Sequence, residues 1–315
     1  MNELILAIVM LIVGFVFLIK GADFFVDGSS AIAKKLKVPG IIIGLTIVAM
    51  GTSLPECAVS IAASISNNNT LAVSNVTGSN IFNLMMVCGI CALFSPLPVS
   101  KDTLKKEFPF SVICAGLLLI MGLWSMELGR VDGIVFLIIF AGFLFWMVRS
   151  ARKSRNNSTE TEEEVKLLPG WKCALFIVGG AAAIALGGEW VVDSAVTIAT
   201  FFNINQTIIG LTIVALGTSL PELVTSIVAA KKGETDMAIG NVIGSNIFNI
   251  LFVLGAAAAI SPIQFMMENV WDIIVLLVFS LLVWILGWTK QKIGRLEGAI
   301  MVLAYAAYTV YICIR

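Results

Sequence analysis

The chain has 315 residues, 59% of them hydrophobic and 13% charged, with 20 Lys and Arg balanced by 20 Asp and Glu. An ordinary soluble domain is about 25% charged, so composition argues against a soluble globular protein, and zero net charge leaves no electrostatic footprint for nucleic acid. Histidine is absent, which removes the usual proton switch and the commonest transition-metal ligand.

Apolar runs near the roughly 20 residues needed to cross about 30 Å of hydrocarbon recur along the chain. The first, 3–22, follows Met1-Asn2-Glu3 without a basic leader or a small-residue cleavage site. That pattern predicts a retained span rather than a signal peptide, with an amphipathic continuation to about 34. Spans follow at 39–64, 70–94, 107–126 and 131–149. The stretch ARKSRNNSTETEEEVKLLPG (151–170) is polar and reads as a solvated cytoplasmic linker, acidic at Glu160, Glu162, Glu163 and Glu164. Spans resume at 170–192, continuing to about 200, and at 205–229, 236–259, 268–288 and 295–313. The cysteines, Cys57, Cys88, Cys91, Cys114, Cys173 and Cys313, lie mostly in these runs. The Cys88-x-x-Cys91 spacing inside a span reads as core packing rather than a redox or zinc motif.

Ten spans put Lys34, Lys101, Lys106, Arg149, Arg152, Lys231 and Lys292 on one side. Only Arg130 and Arg315 fall on the other, with Lys20 near the basic end of the first span. The excess of basic residues marks the cytoplasmic side, so both termini are expected outside.

An internal repeat runs through the chain at an offset of 166. Residues 44–56, GLTIVAMGTSLPE, match 210–222, GLTIVALGTSLPE, at twelve of thirteen positions. Residues 72–83, AVSNVTGSNIFN, match 238–249, AIGNVIGSNIFN, at nine of twelve. Asp23 and Asp27 align with Glu189 and Asp193. The expected organisation is a first five-helix repeat (1–150), the linker (151–167) and a second five-helix repeat (168–315). Five is odd, so the second repeat enters the membrane inverted. Inverted repeats with interrupted spans at matching positions point to a secondary transporter with its site at the repeat interface.

The repeated motif carries specific chemistry. Pro55 lacks an N–H and its ring clashes with the carbonyl at Gly51, so the helix must break there, and Gly51 eases unwinding. Gly217 and Pro221 repeat the arrangement. In helical geometry Thr52 and Ser53 share a face with Glu56, as Thr218 and Ser219 do with Glu222. A carboxylate, hydroxyls and freed carbonyls are hard oxygen donors suited to Ca²⁺, Na⁺ or Mg²⁺. Asn75, Ser79 and Asn83, repeated as Asn241, Ser245 and Asn249, make a polar stripe on an apolar helix. Such residues also serve as helix–helix glue, which on their own suffices for Ser79, Ser245, Asn75 and Asn241. Gly40-x-x-x-Gly44 reads as packing. Glu56 and Glu222 have no Lys or Arg in their own spans, and a buried unpaired carboxylate costs several kcal/mol, so a bound cation or proton is the expected partner. Asp23, Asp27, Glu189 and Asp193 read as solvated helix ends, with an acidic vestibule as the alternative.

GTSLPE followed by GSNIFN, twice, resembles the cation/calcium antiporter superfamily, and in particular the small prokaryotic sodium/calcium exchangers. The resemblance covers nearly the whole chain. It implies an all-α integral membrane protein of ten transmembrane helices in two inverted repeats, with ions held by helices 2, 3, 7 and 8. It implies that Glu56 and Glu222 are carboxylates shared by Ca²⁺ and Na⁺. Thr52, Ser53, Thr218 and Ser219 would supply hydroxyls or carbonyls, Ala49 and Ala215 carbonyls, Ser79 and Ser245 hydroxyls, and Asn83 an amide. Some members carry Asp where this chain has Asn249, and a neutral side chain there removes one possible charge or proton site. The expected activity is Ca²⁺/Na⁺ antiport by alternating access, with long helices 1 and 6 as the moving gate. Ca²⁺/H⁺ or K⁺-dependent exchange and, from another class, a Ca²⁺ channel are the alternatives. No nucleotide-binding loop or nucleophile constellation appears, so neither enzyme activity nor a cofactor is expected. The expected setting is the plasma (inner) membrane of a prokaryote, as a lipid-embedded monomer.

Overall fold

The computed structural model describes residues 2–66, 70–157, 168–204 and 215–314. Nearly all of them are helical. In chain order the helices are α1 (Asn2–Leu36), α2 (Gly40–Thr52), α3 (Leu54–Ile65), α4 (Leu71–Phe94), α5 (Lys101–Ser125), α6 (Arg130–Asn157) and α7 (Gly170–Phe201). After a short turn, Ala215–Gly217, come α8 (Leu220–Lys231), α9 (Thr235–Ile260), α10 (Met267–Lys290) and α11 (Arg295–Ile314). Among the described residues eight helices are long and apolar enough to span a membrane, or nine if the bent pair α2–α3 is one span. The expected span 205–229 lies partly outside the described residues, as do the acidic run of the linker and Arg315.

Helix α6 continues to Asn157, because Ala151, Arg152, Lys153 and Arg155 are adequate helix formers and their charges carry it out of the apolar layer. The continuations of helices 1 and 6 are observed as α1 and α7. These run antiparallel in close contact. A Cβ on Gly14 would lie 3.0 Å from Gly187 O, one on Gly21 3.0 Å from Gly180 O, and one on Gly28 3.0 Å from Cys173 O. Glycines at seven-residue spacing let two backbones approach in the way small residues do between membrane helices. That spacing is legible in the sequence.

Burial sorts the helices into layers. The spans of α4 and α9 are 78% buried, whereas those of α1, α5, α6, α7, α10 and α11 are 17–33% buried. The outer helices expose Ile12, Trp124, Phe145, Val178 and Leu303, an apolar exterior that belongs in lipid. Within the core, Gly44 meets α9 so closely that a Cβ would lie 2.6 Å from Met237 O, in keeping with a packing role. Cys88 and Cys91 are buried free thiols.

Four two-residue strands tie helix ends together, and none is expected from sequence because two residues carry no alternation. Strand β1 (Leu97–Pro98) pairs antiparallel with β4 (Lys292–Ile293), Leu97 opposite Ile293. Strand β2 (Glu127–Leu128) pairs with β3 (Ile263–Gln264), Glu127 opposite Gln264.

Candidate functional site

Both copies of the proline motif interrupt their helices, two residues after the glycine. Gly51 remains helical and the chain breaks at Ser53 (φ −85°, ψ 14°), with a 50° bend between α2 and α3. Ser219 repeats the break at φ −93°, ψ 5°. The expectation that Gly51 unwinds is therefore corrected: Pro55 and Pro221 sit in the first turn of a new helix, where a missing N–H costs nothing. Gly51 instead gives room to α1. A Cβ there would lie 2.6 Å from Phe25 Cζ, and one on Gly217 would lie 2.2 Å from Val192 Cγ2 of α7.

The break places Glu56 and Glu222 in the first turns of α3 and α8, where the helix dipole favours negative charge. Both are fully buried. Among the described residues neither has a Lys or Arg within ion-pair distance. The hydroxyls do not pair as helical spacing suggests. Ser53 Oγ donates to Glu222 Oε1 (2.6 Å), and Ser219 Oγ donates to Glu56 Oε1 (3.0 Å). Each serine serves the carboxylate of the other motif, because the break at Ser53 and Ser219 turns its side chain off the helix that follows. Ser79 Oγ also reaches Glu56 Oε1 (3.2 Å) and lies 2.9 Å from Ser219 Oγ.

The remaining expected residues divide. Thr52 Oγ1 bonds Asn241 Oδ1 (3.1 Å) and its own helix carbonyls rather than Glu56. Ala49 O accepts from Ser53 N (3.1 Å) and from Thr52 Oγ1 (3.3 Å), so the expected freed carbonyl is occupied. Ala215 opens the short turn before the second break. Ser245 Oγ lies 3.5 Å from Asn241 Oδ1 and its hydroxyl also faces the Glu222 carboxylate. Asn75 and Asn241 act as glue, donating to Ser60 Oγ (3.0 Å) and Ser226 Oγ (2.9 Å). Thr218 Oγ1 is buried without a partner among the described residues.

Asn83 and Asn249 start the π-helical segments Asn83–Val87 and Asn249–Leu254, a distortion that recurs at functional sites. Their amides are oriented by two further asparagines that the spacing of the polar stripe does not single out, Asn80 and Asn246. Asn80 Nδ2 donates to Asn246 O and Asn246 Nδ2 to Asn80 O, both at 3.2 Å. Asn83 Nδ2 then donates to Asn246 Oδ1 (3.3 Å) and Asn249 Nδ2 to Asn80 Oδ1 (3.2 Å). The amide nitrogens are consumed and the carbonyl oxygens are left over. Among the described residues, Asn83 Oδ1, Asn249 Oδ1, Glu56 Oε2 and Glu222 Oε2 are all buried with no partner. The signal for Asn80 and Asn246 is the first Asn of GSNIFN, in both copies.

Buried oxygens without donors are expensive, and two buried carboxylates without a counter-charge more so. Two carboxylates plus neutral hydroxyl and amide oxygens make a hard donor set for a cation. Among the described residues no three His, Cys, Asp or Glu side chains cluster as a metal site, so carboxylate charge here is limited to −2.

Toward the ends of α1, the acidic residues are paired rather than simply solvated. Lys232, in the α8–α9 connection, bonds Asp27 (2.7 Å) and Asp23 (2.9 Å), and Glu234 accepts from Ser30 and lies 3.8 Å from Lys34. Partial burial alone would lower the Lys232 pKa, but the hydrogen bonds and charges of Asp27 and Asp23 prevail and raise it. Glu189 and Asp193 on α7 are exposed.

The family model for sodium/calcium exchanger proteins matches residues 6–149 and again 172–314. The putative antiporter CaxA of Alkalimonas amylolytica is 40% identical, over 97% of this chain and 98% of its own. The inner membrane protein YrbG of Escherichia coli is 38% identical, over 89% and 90% respectively. A solved structure of the sodium-calcium exchanger NCX_Mj, soaked with Na⁺ and Sr²⁺, superposes with a TM-score of 0.85 at 33% identity, covering 97% of this chain and 98% of that one. The multi-pass helical chain thus belongs to the sodium/calcium exchanger family.

Proposed function

We propose that this chain exchanges Ca²⁺ for Na⁺ by alternating access, with both ions sharing Glu56 and Glu222. The observation that carries the reading is the set of oxygens buried without a partner among the described residues: Glu56 Oε2, Glu222 Oε2, Asn83 Oδ1 and Asn249 Oδ1. One Ca²⁺ neutralises the two carboxylates. Na⁺ ions entering the same oxygens displace it, so the two do not ride together. An empty site leaves two unpaired buried charges, a state too costly to pass through occlusion, and return requires a replacement cation. Exchange rather than uniport follows. Thr52, Ser53, Thr218, Ser219, Ser79, Ser245 and the Ala49 and Ala215 carbonyls complete the proposed shell as ions enter.

The reading includes ten spans in two inverted repeats, 1–150 and 168–315, joined by the linker 151–167, with both termini outside. The reciprocal contacts support it: β1 pairs with β4 as β3 pairs with β2, and Asn80 bonds Asn246 as Asn246 bonds Asn80. In each case the partners exchange between the repeats, at an offset of 166 for Asn80 and Asn246 and for β1 and β3, and of 165 for β2 and β4. A relative named as an inner membrane protein supports a prokaryotic plasma membrane. The protein works as a monomer without a cofactor. Helices α1 and α7 move as the gate, and Phe25 seated on Gly51 couples α1 to the break beside Glu56.

Two predictions test these parts. Each serine hydroxyl gives one hydrogen bond to a carboxylate, worth about 1.5–3 kcal/mol. S53A and S219A are therefore expected to weaken Ca²⁺ activation of uptake roughly tenfold or more while leaving the protein folded. Unchanged activation in both would remove the serines from the site. The Lys232 pair holds α1 against the α8–α9 connection, on the proposed cytoplasmic face. Such half-exposed pairs contribute about 0.2–1 kcal/mol, so K232A is expected to open this face up to about fivefold more often, read as thiol labelling of a cysteine placed at Ser226. High salt reproduces the effect in the wild type and adds nothing to K232A. Because the Lys232 pKa is raised, its stabilisation is complete below about 10.4 and lost only as pH rises through the shifted value, so the lysine end of the pair survives neutral pH.

A further inference from the structure

We infer that the groove between α5 and α6 is a binding site for an anionic phospholipid, with the headgroup at Lys105 and Lys106 and an acyl chain along the aromatic wall. The groove has a volume of about 510 Å³ and is lined by Lys105, Lys106, Phe110, Gly142, Phe143 and Trp146 among others. Its wall is built from rings: Phe110 stacks on Phe143 (5.3 Å between centroids, 6° between planes), and Trp146 leans on both at 6.3 and 6.1 Å. Its floor is open, since a Cβ on Gly142 would meet nothing within 4 Å. The surface beside it is apolar, with Ile113, Ile138 and Phe145 exposed, so whatever fills the groove arrives from the bilayer.

Charge selects among lipids. Lys105 and Lys106 sit where α5 is interrupted, between Lys101–Lys105 and Glu107–Ser125. Lys106 is paired with exposed Asp102 (3.1 Å), and Lys105 has no ion-pair partner among the described residues. The α5–α6 connection is short, from Ser125 to Arg130. Nineteen residues back along α5 is Lys106, and nineteen forward along α6 is Arg149. At 1.5 Å per residue both lie about 28 Å from that turn, one hydrocarbon thickness away. Arg152, Lys153 and Arg155 continue beyond Arg149. The mouth of the groove is therefore at headgroup level under a positive field, with Trp146 at the depth where indole rings anchor. Basic clefts between membrane helices at this level suit phosphodiester headgroups. A zwitterionic lipid brings a choline or ethanolamine charge that the lysines repel.

The test uses the full chain in phosphatidylcholine vesicles containing a minor fraction of phosphatidylglycerol. One of the two lipids carries a photoactivatable group on its acyl chain. The expected result is labelling of the peptides holding Phe110 and Trp146 about tenfold or more heavier from phosphatidylglycerol than from phosphatidylcholine. K105Q/K106Q, at exposed positions, should bring the two lipids to equality. G142F should fill the groove and remove labelling from both without changing the thermal transition. Equal labelling of wild type by both lipids would reduce the groove to ordinary annular contact and overturn the assignment. So would a preference that survives K105Q/K106Q. Labelling requires no transport, so this result stands apart from the ion-exchange reading.

Discussion

E56Q and E222Q are each expected to abolish measurable Ca²⁺ binding and exchange while leaving the fold intact. Glutamine keeps the shape and still accepts the hydroxyl of Ser219 or Ser53 through its amide oxygen, so the bonds now at 3.0 and 2.6 Å have an acceptor. What is lost is half the negative charge of a site with no Lys or Arg in ion-pair reach among the described residues. Removing one member of a buried charge interaction costs about 2–5 kcal/mol, which is roughly 30-fold or more in affinity. Titration calorimetry on purified protein checks this, with Na⁺ as competitor. Wild type should release Ca²⁺ as Na⁺ rises, and neither variant should bind Ca²⁺ in the same range. Near-normal Ca²⁺ binding by either variant would mean that its carboxylate does not hold the ion.

The second large effect is structural, and two adjacent glycines provide its control. A Cβ on Gly180 would lie 2.8 Å from Gly21 O and from Phe25 N, both backbone atoms that cannot rotate away. G180L must push α7 off α1. Overpacking of this kind costs about 1–3 kcal/mol or more, and it displaces Phe25 from Gly51. At Gly179 a Cβ meets nothing within 4 Å, so G179A should be neutral or stabilising by up to about 1 kcal/mol through helix propensity. Thermal unfolding in detergent, followed by fluorescence, should give a lowered transition for G180L and an unchanged or raised one for G179A. Equal behaviour of the two would mean that the α1–α7 contact is looser than described.

Much of this architecture is legible in the residues. Apolar run length locates the spans, because hydrocarbon thickness fixes it. Pro55 and Pro221 locate the interruptions, because a missing N–H and a ring clash admit few outcomes. Glu56 and Glu222 stand out because neither has a cation in its own span. Other features depend on what faces what across the molecule, which spacing along one helix does not encode. Ser53 lies three residues from Glu56 yet bonds Glu222, 169 positions away. Asn80 and Asn246 orient the amides of Asn83 and Asn249 only because α4 and α9 meet there. The pairing of Asp23 and Asp27 with Lys232 likewise joins elements far apart in sequence. The heptad of Gly14, Gly21 and Gly28 is a different case. It carries a readable period, and its meaning as a helix seam follows from the same small-residue rule that explains Gly44.

The central claim is that one site, built on Glu56 and Glu222, takes either Ca²⁺ or Na⁺. Its most direct test is Ca²⁺ uptake into proteoliposomes loaded in turn with Na⁺, with K⁺, or with acidic buffer, and diluted into Ca²⁺. The account predicts uptake only from the Na⁺-loaded vesicles, and none with E222Q. Uptake driven by K⁺ or by the pH gradient alone, or full Na⁺-driven uptake by E222Q, would contradict it.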